Sequence, residues 1–311
     1  MKIKLLKLLV CPEDSGDLKL VGAKQSGDEI EFGDLVCEKC GHNYPIVRYV
    51  PRFVASDEYV GNFSLEWIKH ITTQLDSANK TNQSYSTFTR RTGFNKDDFA
   101  GKMVLDVGCG TGRFMEVARN LGAEVVGIDL SYAVESAQRN FAKDQLVHII
   151  QANVFKLPFR KQSFNHVYSI GVLHHTPNTR LAFEKSLEYL RPNGKIAIWV
   201  YNNWGIYNKA SDFYRIFTTR LPEKLLYKIC QRLTPVIYFF HKRGKAWRYI
   251  IPIPISYNSD PDWRILDTFD WYSPKYQWKH TMPEVTKWFK EAGLEDVATH
   301  EVPVSVSGRK I

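Results

Sequence analysis

The spacing of apolar positions changes along the chain, and each change marks an element. Met103 to Val107 (MVLDV) reads as a strand, and after a glycine-rich turn Phe114, Val117, Ala118 and Leu121 recur at helical spacing. Val125 to Ile128 returns to a strand pattern and ends in Asp129, about 20 residues beyond the turn. Asn165 to Ile170 is a further apolar-rich strand, followed by a helix whose face includes Phe183, Leu187 and Leu190, and then by the strand KIAIWVY. Between Pro222 and His241, Leu225, Leu226, Ile229, Leu233, Val236, Ile237 and Phe240 fall on one helical stripe and Lys224, Lys228 and Arg232 on another. Pro235 is expected to kink or interrupt that helix, and IPIPISYNSDPDW to break regular structure. The last helix, MPEVTKWFKEAGL, has Pro283 in its first turn and Gly293 at its end.

The front of the chain follows a different pattern. LVCPEDSGDLKL and LVCEKCGHNYPIVRYVPRFV read as two hairpin-like stretches with cysteine at the turns. Cys37-x-x-Cys40 is half of a zinc ribbon, a tight knuckle that aims two thiolates at one tetrahedral ion. The other half offers Cys11 and, where a second cysteine is expected, Asp14; His42 lies close in sequence. The reading is a Cys11/Asp14/Cys37/Cys40 zinc site or a metal-free ribbon held by its apolar residues. With YPIVRYVPRF included, residues 1–55 resemble the small zinc-ribbon activator proteins of tRNA and protein methyltransferases.

Composition narrows the class. The 311 residues are 44% hydrophobic and 24% charged, as in an ordinary globular protein. The opening MKIKLLKLLVCP is broken by Lys4 and Lys7 and has no cleavage pattern, and no apolar run approaches a membrane span. Three of five cysteines lie in the first forty residues, which favours metal over disulfides. A cytoplasmic protein is expected. The formal charge is +9, and between Asn203 and Ile250 ten basic residues face only Asp212 and Glu223. That segment is a candidate contact for RNA or for an anionic membrane surface, the latter implying a peripheral membrane location.

The glycine turn sets the cofactor. A dinucleotide requires G-x-G-x-x-G, whereas this chain has Gly108-x-Gly110-x-Gly112 preceded by Asp106. That is the tight loop that wraps the amino-acid end of S-adenosylmethionine, with Asp106 placed to organise the loop around the ammonium group and Asp129 to hold the ribose hydroxyls. VLDVGCGTGRF, VVGIDLS, QANVFKLPF, FNHVYSIGVLHH and LRPNGKIAIWVY occur in the order and spacing of class I S-adenosylmethionine-dependent methyltransferases, and the chain is similar to their type 11 group. The resemblance implies an α/β fold, a Rossmann-like, mostly parallel sheet of about seven strands. It also implies Gly108, Gly110 and Gly112 at the methionine end, Asp129 with Leu130 at the ribose, Asn153 and Val154 at the adenine edge, and Ile170 and Gly171 under the amino group. Asn153 and Asn165 stand where that group commonly has aspartate.

GVLHHTPN begins at the carboxyl end of a strand, where open α/β sheets bind ligands, so His174 and His175 are expected near the transferable methyl. Adjacent side chains rarely point the same way. One of them, His175 by preference, is the candidate general base, and the alternative is that both cap or pack the following helix. The expected organisation is a ribbon module over 1–55, covering helices over 56–100, a cofactor-binding core over 101–201, an aromatic and basic lid over 202–280, and a closing helix with strands over 281–311. Trp271, Tyr272, Tyr276, Trp278 and His280 are candidates for the acceptor pocket, and Tyr85, Phe88 and Arg90 for contacts from the N-terminal helices. The expected activity is methyl transfer to a hydroxyl of a sugar, glycan or other small acceptor. The alternatives are an RNA base methyltransferase or a silent cofactor-binding scaffold that activates a partner.

Overall fold

The computed structural model describes residues 1–55, 61, 70–204 and 206–311, apart from the side chains of 206–209. Most of the stretch expected to form the first covering helix, 62–69, lies outside the described residues. A four-stranded antiparallel sheet at the front contains β1 (Leu18–Ser26), β2 (Glu29–Cys37), β3 (Asn43–Val47) and β4 (Val50–Pro51), in that order. The main sheet has seven strands: β5 (Met103–Val107), β6 (Glu124–Asp129), β7 (Val147–Gln151), β8 (Phe164–Ile170), β9 (Leu190–Trp199), β10 (Leu294–Thr299) and β11 (Ser305–Lys310). Their order is β10-β11-β9-β8-β5-β6-β7; the strands from β9 to β7 run parallel, and β11 is antiparallel to both β9 and β10.

Helices cover both faces, which is why β5 is buried from Val104 to Val107 and reads as an apolar run interrupted only by Asp106. α1 (Gln83–Thr92) precedes β5, α2 (Arg113–Asn120) links β5 to β6, and α3 (Ala133–Asn140) links β6 to β7. From β5 the chain winds outward to β7 and then returns to the other side of β5 as β8, so the strand order reverses between β5 and β8. At that reversal the carboxyl ends part and leave a crevice.

The front module is built into the main sheet. Its last residues run parallel to the outer edge of β7: Arg52 pairs with Gln151, the Phe53 amide donates to the Gln151 carbonyl at 2.8 Å, and Lys2 Nζ reaches the Val147 carbonyl at 2.7 Å. This covers a strand edge that would otherwise expose unpaired backbone groups. Leu5, Leu9, Ile46 and Phe53 share one apolar core with Ile128, Ile150 and Phe159.

After β8, α4 (Thr179–Leu187) leads into β9. The insertion that follows forms α5 (Ile206–Thr218), α6 (Glu223–Arg243) and α7 (Pro261–Tyr272), and the chain re-enters the core through α8 (Met282–Glu291). The interruption expected at Pro235 does not occur. α6 runs through Pro235 without interruption, and its buried face is Leu226, Tyr227, Cys230, Thr234, Ile237 and His241, while Leu225, Leu233 and Val236 remain exposed. Leu226, Tyr227 and Cys230 pack against Ile265 and Phe269 of α7, and the segment before α7 supplies polar partners: the His241 ring bonds the Tyr257 hydroxyl at 2.8 Å and the Ile251 carbonyl at 2.9 Å. The irregular IPIPISYNSDPDW stretch ends in the start of α7, where Asp260 caps the Trp263 amide at 2.7 Å and Pro261 opens the helix.

Candidate active site

A cavity of about 550 Å³ lies at the carboxyl ends of β5, β6 and β8, beneath α7. Its floor is the glycine turn. Gly108 has φ 84°, and a Cβ there would lie 2.3 Å from a methyl of Val172, so only glycine fits. The Gly108 and Cys109 amides donate to the Ile128 carbonyl at 2.8 and 2.9 Å, and the Gly110 amide donates to Asp129 Oδ2 at 2.9 Å. Asp129 Oδ1 accepts from the Ser131 amide at 2.8 Å and the Ser131 hydroxyl at 2.7 Å. Burial raises the Asp129 pKa, opposed by these bonds. Asp129 also lines the cavity, where its carboxylate can accept from a ribose hydroxyl.

Of the residues expected to hold the cofactor or act in catalysis, Gly108, Gly110, Asp129, Leu130, Val154, Ile170, Gly171 and His175 line the cavity and Asp106, Gly112, Asn153 and His174 do not. Asp106 is sealed under the turn with Oδ2 unpartnered, and burial drives its pKa well above the carboxylate range. Gly112, at φ 95°, starts α2 and backs onto Phe141. Asn153 Oδ1 accepts from the Phe155 amide at 3.0 Å, so Ala152 and Val154 form that part of the wall. These residues fit S-adenosylmethionine: a close-approach turn, a carboxylate after β6, and apolar side chains for an adenine.

The two histidines separate. His174 is fully buried, its ring 3.9 Å from that of Tyr201, and neither ring nitrogen has a hydrogen-bond partner. Burial, reinforced by neighbouring positive groups, pushes its pKa well below the usual value. His175 faces the cavity and its Nδ1 lies 2.9 Å from the Tyr276 carbonyl, which can only accept, so Nδ1 carries the proton and Nε2 the lone pair. Burial lowers the His175 pKa to about 4, so the ring is neutral at physiological pH.

The remaining wall was only partly legible. From the N-terminal side Gln83, Thr87 and Arg91 of α1 face the cavity, one helical phase away from the expected Tyr85, Phe88 and Arg90. Tyr85 is exposed, Phe88 is in the core, and Arg90 pairs with Glu301 at 2.8 Å. α7 presents Trp263, Asp267, Asp270 and Trp271, a spacing of i, i+4, i+7, i+8 that puts all four on one face. Of the expected acceptor residues only Trp271 lines the cavity. The Tyr272 hydroxyl bonds the Pro254 carbonyl, Trp278 Nε1 bonds the Thr176 carbonyl, and His280 Nε2 lies 3.0 Å from Thr179 Oγ1. The Tyr201 hydroxyl donates to Asp270 Oδ2 at 3.2 Å. Burial raises Asp267 to about 6, and burial together with Asp267 raises Asp270 to about 7. The apolar character of α7 hides this stripe in the sequence; helical spacing of acids between tryptophans was the available signal.

The second site is in the front module. One ligand atom each from Cys11, Asp14, Cys37 and Cys40 lie within 4.8 Å of one another. Cys11 Sγ is 3.7 Å from Cys40 Sγ, close to the tetrahedral edge that zinc–sulfur bonds of about 2.3 Å produce. The Lys39 and Cys40 amides both donate to Cys37 Sγ at 3.4 Å, and a Cβ on Gly16 would press on Cys37 Sγ at 2.9 Å. His42 Nδ1 sits 3.3 Å from Cys40 Sγ, outside the four. The donor set fits zinc with Asp14 as the fourth ligand.

Residues 105–198 match the family described as Methyltransferase domain, and residues 2–48 the family described as Trm112p-like protein. An O-methyltransferase, resE, of Aspergillus sclerotiorum is 34% identical over 35% of this chain and 44% of its own length. Probable tRNA methyltransferase 9B of Mus musculus is 32% identical over 39% of this chain and 26% of its own length. The chain thus spans between a quarter and a half of these relatives. A solved complex containing the Haloferax volcanii Trm112 methyltransferase activator is 17% identical with a TM-score of 0.45, covering 76% of this chain and 77% of that one. The chain joins a Trm112p-like module at its front to a methyltransferase domain.

Proposed function

We propose that the protein is an S-adenosylmethionine-dependent methyltransferase acting on a hydroxyl of a sugar, glycan or other small acceptor. The observation that carries this reading is that His175, its Nδ1 held by the Tyr276 carbonyl, lines one cavity with the glycine turn and Asp129. Bound S-adenosylmethionine supplies the electrophilic methyl group. Gly108 and Gly110 let the backbone approach the cofactor, Asp129 accepts from its ribose hydroxyls, and Ala152 and Val154 flank the adenine. Trp263 and Trp271 provide flat apolar surfaces for the acceptor, and α7 excludes water. His175 takes the hydroxyl proton as the oxygen bonds the methyl carbon and the carbon–sulfur bond breaks, with S-adenosylhomocysteine as the leaving group; aligning the two reactants contributes several kcal/mol.

One observation favours RNA as the acceptor instead: the built-in Trm112p-like module, together with a relative named as a tRNA methyltransferase. The lid surface weighs the other way. Ile216, Leu225 and Val236 are exposed among its cations, and aliphatic side chains gain more from a lipid surface than from a phosphate backbone. No helix among the described residues is long and apolar enough to cross a membrane, so such contact would be in-plane. Incubation with methyl-labelled S-adenosylmethionine and separated extract fractions tests the reading. Label in glycans, lipid-linked glycans or metabolites supports it, and label in RNA replaces it. Label in none, with cofactor bound, points to the silent scaffold.

A further inference from the structure

We infer that the outward face of the lid seats on an anionic lipid surface, with α6 lying in the plane of the headgroups and Phe213 and Phe217 of α5 beside it. This surface is distinct from the cavity and independent of the cofactor and methyl-transfer readings above.

Leu225, Lys228, Arg232, Val236, Phe239 and Arg243 follow one another at steps of three or four residues, and all six are exposed. They form one row along α6, about 27 Å long at the helical rise per residue. The opposite face, through Leu226, Tyr227 and Cys230, packs on Ile265 and Phe269 of α7. α5 is arranged in the same way. Its Tyr214 ring meets Tyr272 of α7 and Arg215 donates to the Pro274 carbonyl, while Phe213, Ile216 and Phe217 on the other side are each more than half exposed. Single exposed apolar side chains are ordinary, but a run of this extent marks a contact surface.

Charge identifies what covers it. α6 carries Lys224, Lys228, Arg232, Lys242 and Arg243 against Glu223 alone, and Asp212, the acid of α5, is taken by Lys279 from outside the segment. A second copy of the chain would set this row of cations against itself. A nucleic acid strand would pair with the cations but leave Ile216, Leu225 and Val236 in water, and these side chains have no ring for a base to stack on. A bilayer with anionic headgroups serves both kinds of side chain. Its phosphates meet Lys228, Arg232 and Arg243, and the acyl boundary receives the apolar side chains between them. The Arg243 guanidinium lies over the Phe239 ring, 3.6 Å from its centroid, so charge and ring sit at one level, as a headgroup boundary requires. Just beyond α6, Tyr249 and Ile250 are 84 and 65% exposed and extend the same mixed surface.

α7 lies between this surface and the cavity: Ile265 and Phe269 face α6, and Trp263 and Trp271 line the cavity from the opposite face. One helix layer, about 10 Å, then separates the seated lid from the site, within reach of an acceptor held in the same membrane.

Sedimentation of the full chain with vesicles tests this, using phosphatidylcholine alone and phosphatidylcholine with phosphatidylglycerol. The wild type is expected to sediment with the second and to stay in solution with the first. Lys228→Glu with Arg232→Glu is expected to weaken binding at least about tenfold, and so is Val236→Ser with Phe239→Ser, which keeps every charge. All four side chains are exposed, and unchanged melting temperatures show that both variants are folded. Sedimentation with neither vesicle, or equally with both, overturns the inference. So does binding that survives Val236→Ser with Phe239→Ser, because attraction by charge alone needs no seated face. A dimer that this variant dissociates, or RNA bound through Lys228 and Arg232 without vesicle binding, gives the face to that partner and overturns the inference as well. Vesicle binding by a protein that does not bind S-adenosylhomocysteine leaves the inference standing and overturns the cofactor reading.

Discussion

Arg52 and Gln151 are joined twice over: their backbones pair along the edge of β7, and Arg52 Nη1 donates to Gln151 Oε1 at 2.6 Å in a buried position. Gln151 Nε2 in turn donates to the Leu130 carbonyl at 2.9 Å, and Arg52 Nη2 reaches Glu135 at 2.7 Å. A residue of the front module thus braces the loop that carries Asp129. Arg52→Met is expected to weaken S-adenosylhomocysteine binding by roughly tenfold, because it leaves Gln151 and Glu135 without their buried cationic partner. Unchanged affinity by calorimetry would show that the module covers the sheet edge without shaping the cofactor loop.

Asp129→Ala removes both the ribose contact and the acceptor for Gly110 and Ser131. A loss of at least about a hundredfold in S-adenosylhomocysteine affinity is expected from charged hydrogen bonds of roughly 1.5–3 kcal/mol each. If affinity stays unchanged, the ribose assignment is wrong.

The lid carboxylate gives a pH signature in the ligand-free protein. Asp270 has a folded pKa raised to about 7, from an ordinary value of 3.8, so between those values the folded state binds more protons than the unfolded state and stability falls as pH rises. His175 and His148, both lowered to about 4, act in the opposite sense below pH 6.5. The comparison of Asp270→Asn with wild type isolates the aspartate in its setting of Asp267, Arg215 and Tyr201. The melting temperatures should agree near pH 4, and the variant should melt roughly 2 °C or more higher at pH 8. A variant less stable than wild type at pH 8 would show that the empty cavity holds this carboxylate comfortably.

Metal analysis of protein prepared without chelator should find one zinc per chain, and Cys37→Ser should remove it and lower the melting temperature. A structural zinc contributes folding free energy directly. Absence of zinc with unchanged melting would leave the module as a metal-free ribbon held by the core that Leu35, Ile46 and Phe53 share with β6 and β7.

The parts of this fold that were legible in the sequence are those governed by local geometry. Gly108, Gly110 and Asp129 lie within one strand, turn, helix and strand unit, and the knuckle around Cys37 and Cys40 fixes its own shape. The misplaced residues depend on which face of a helix the rest of the molecule covers. α1 turns Arg91 toward the cavity and Arg90 toward Glu301 because Phe88 occupies the core. α6 buries His241 in preference to Leu225 and Val236 because the loop before α7 offers it hydrogen bonds from Tyr257 and Ile251. Asp267 and Asp270 become cavity residues only once the lid is folded over β9, a relationship no stretch of sequence displays.

The most direct test of methyl transfer through His175 is single-turnover kinetics of His175→Ala on whichever acceptor fraction the wild type labels, alongside its affinity for S-adenosylhomocysteine. A fall in rate of about 10²-fold or more is expected, with cofactor affinity unchanged. Full turnover by the variant would contradict it and leave His175, like His174, a packing residue.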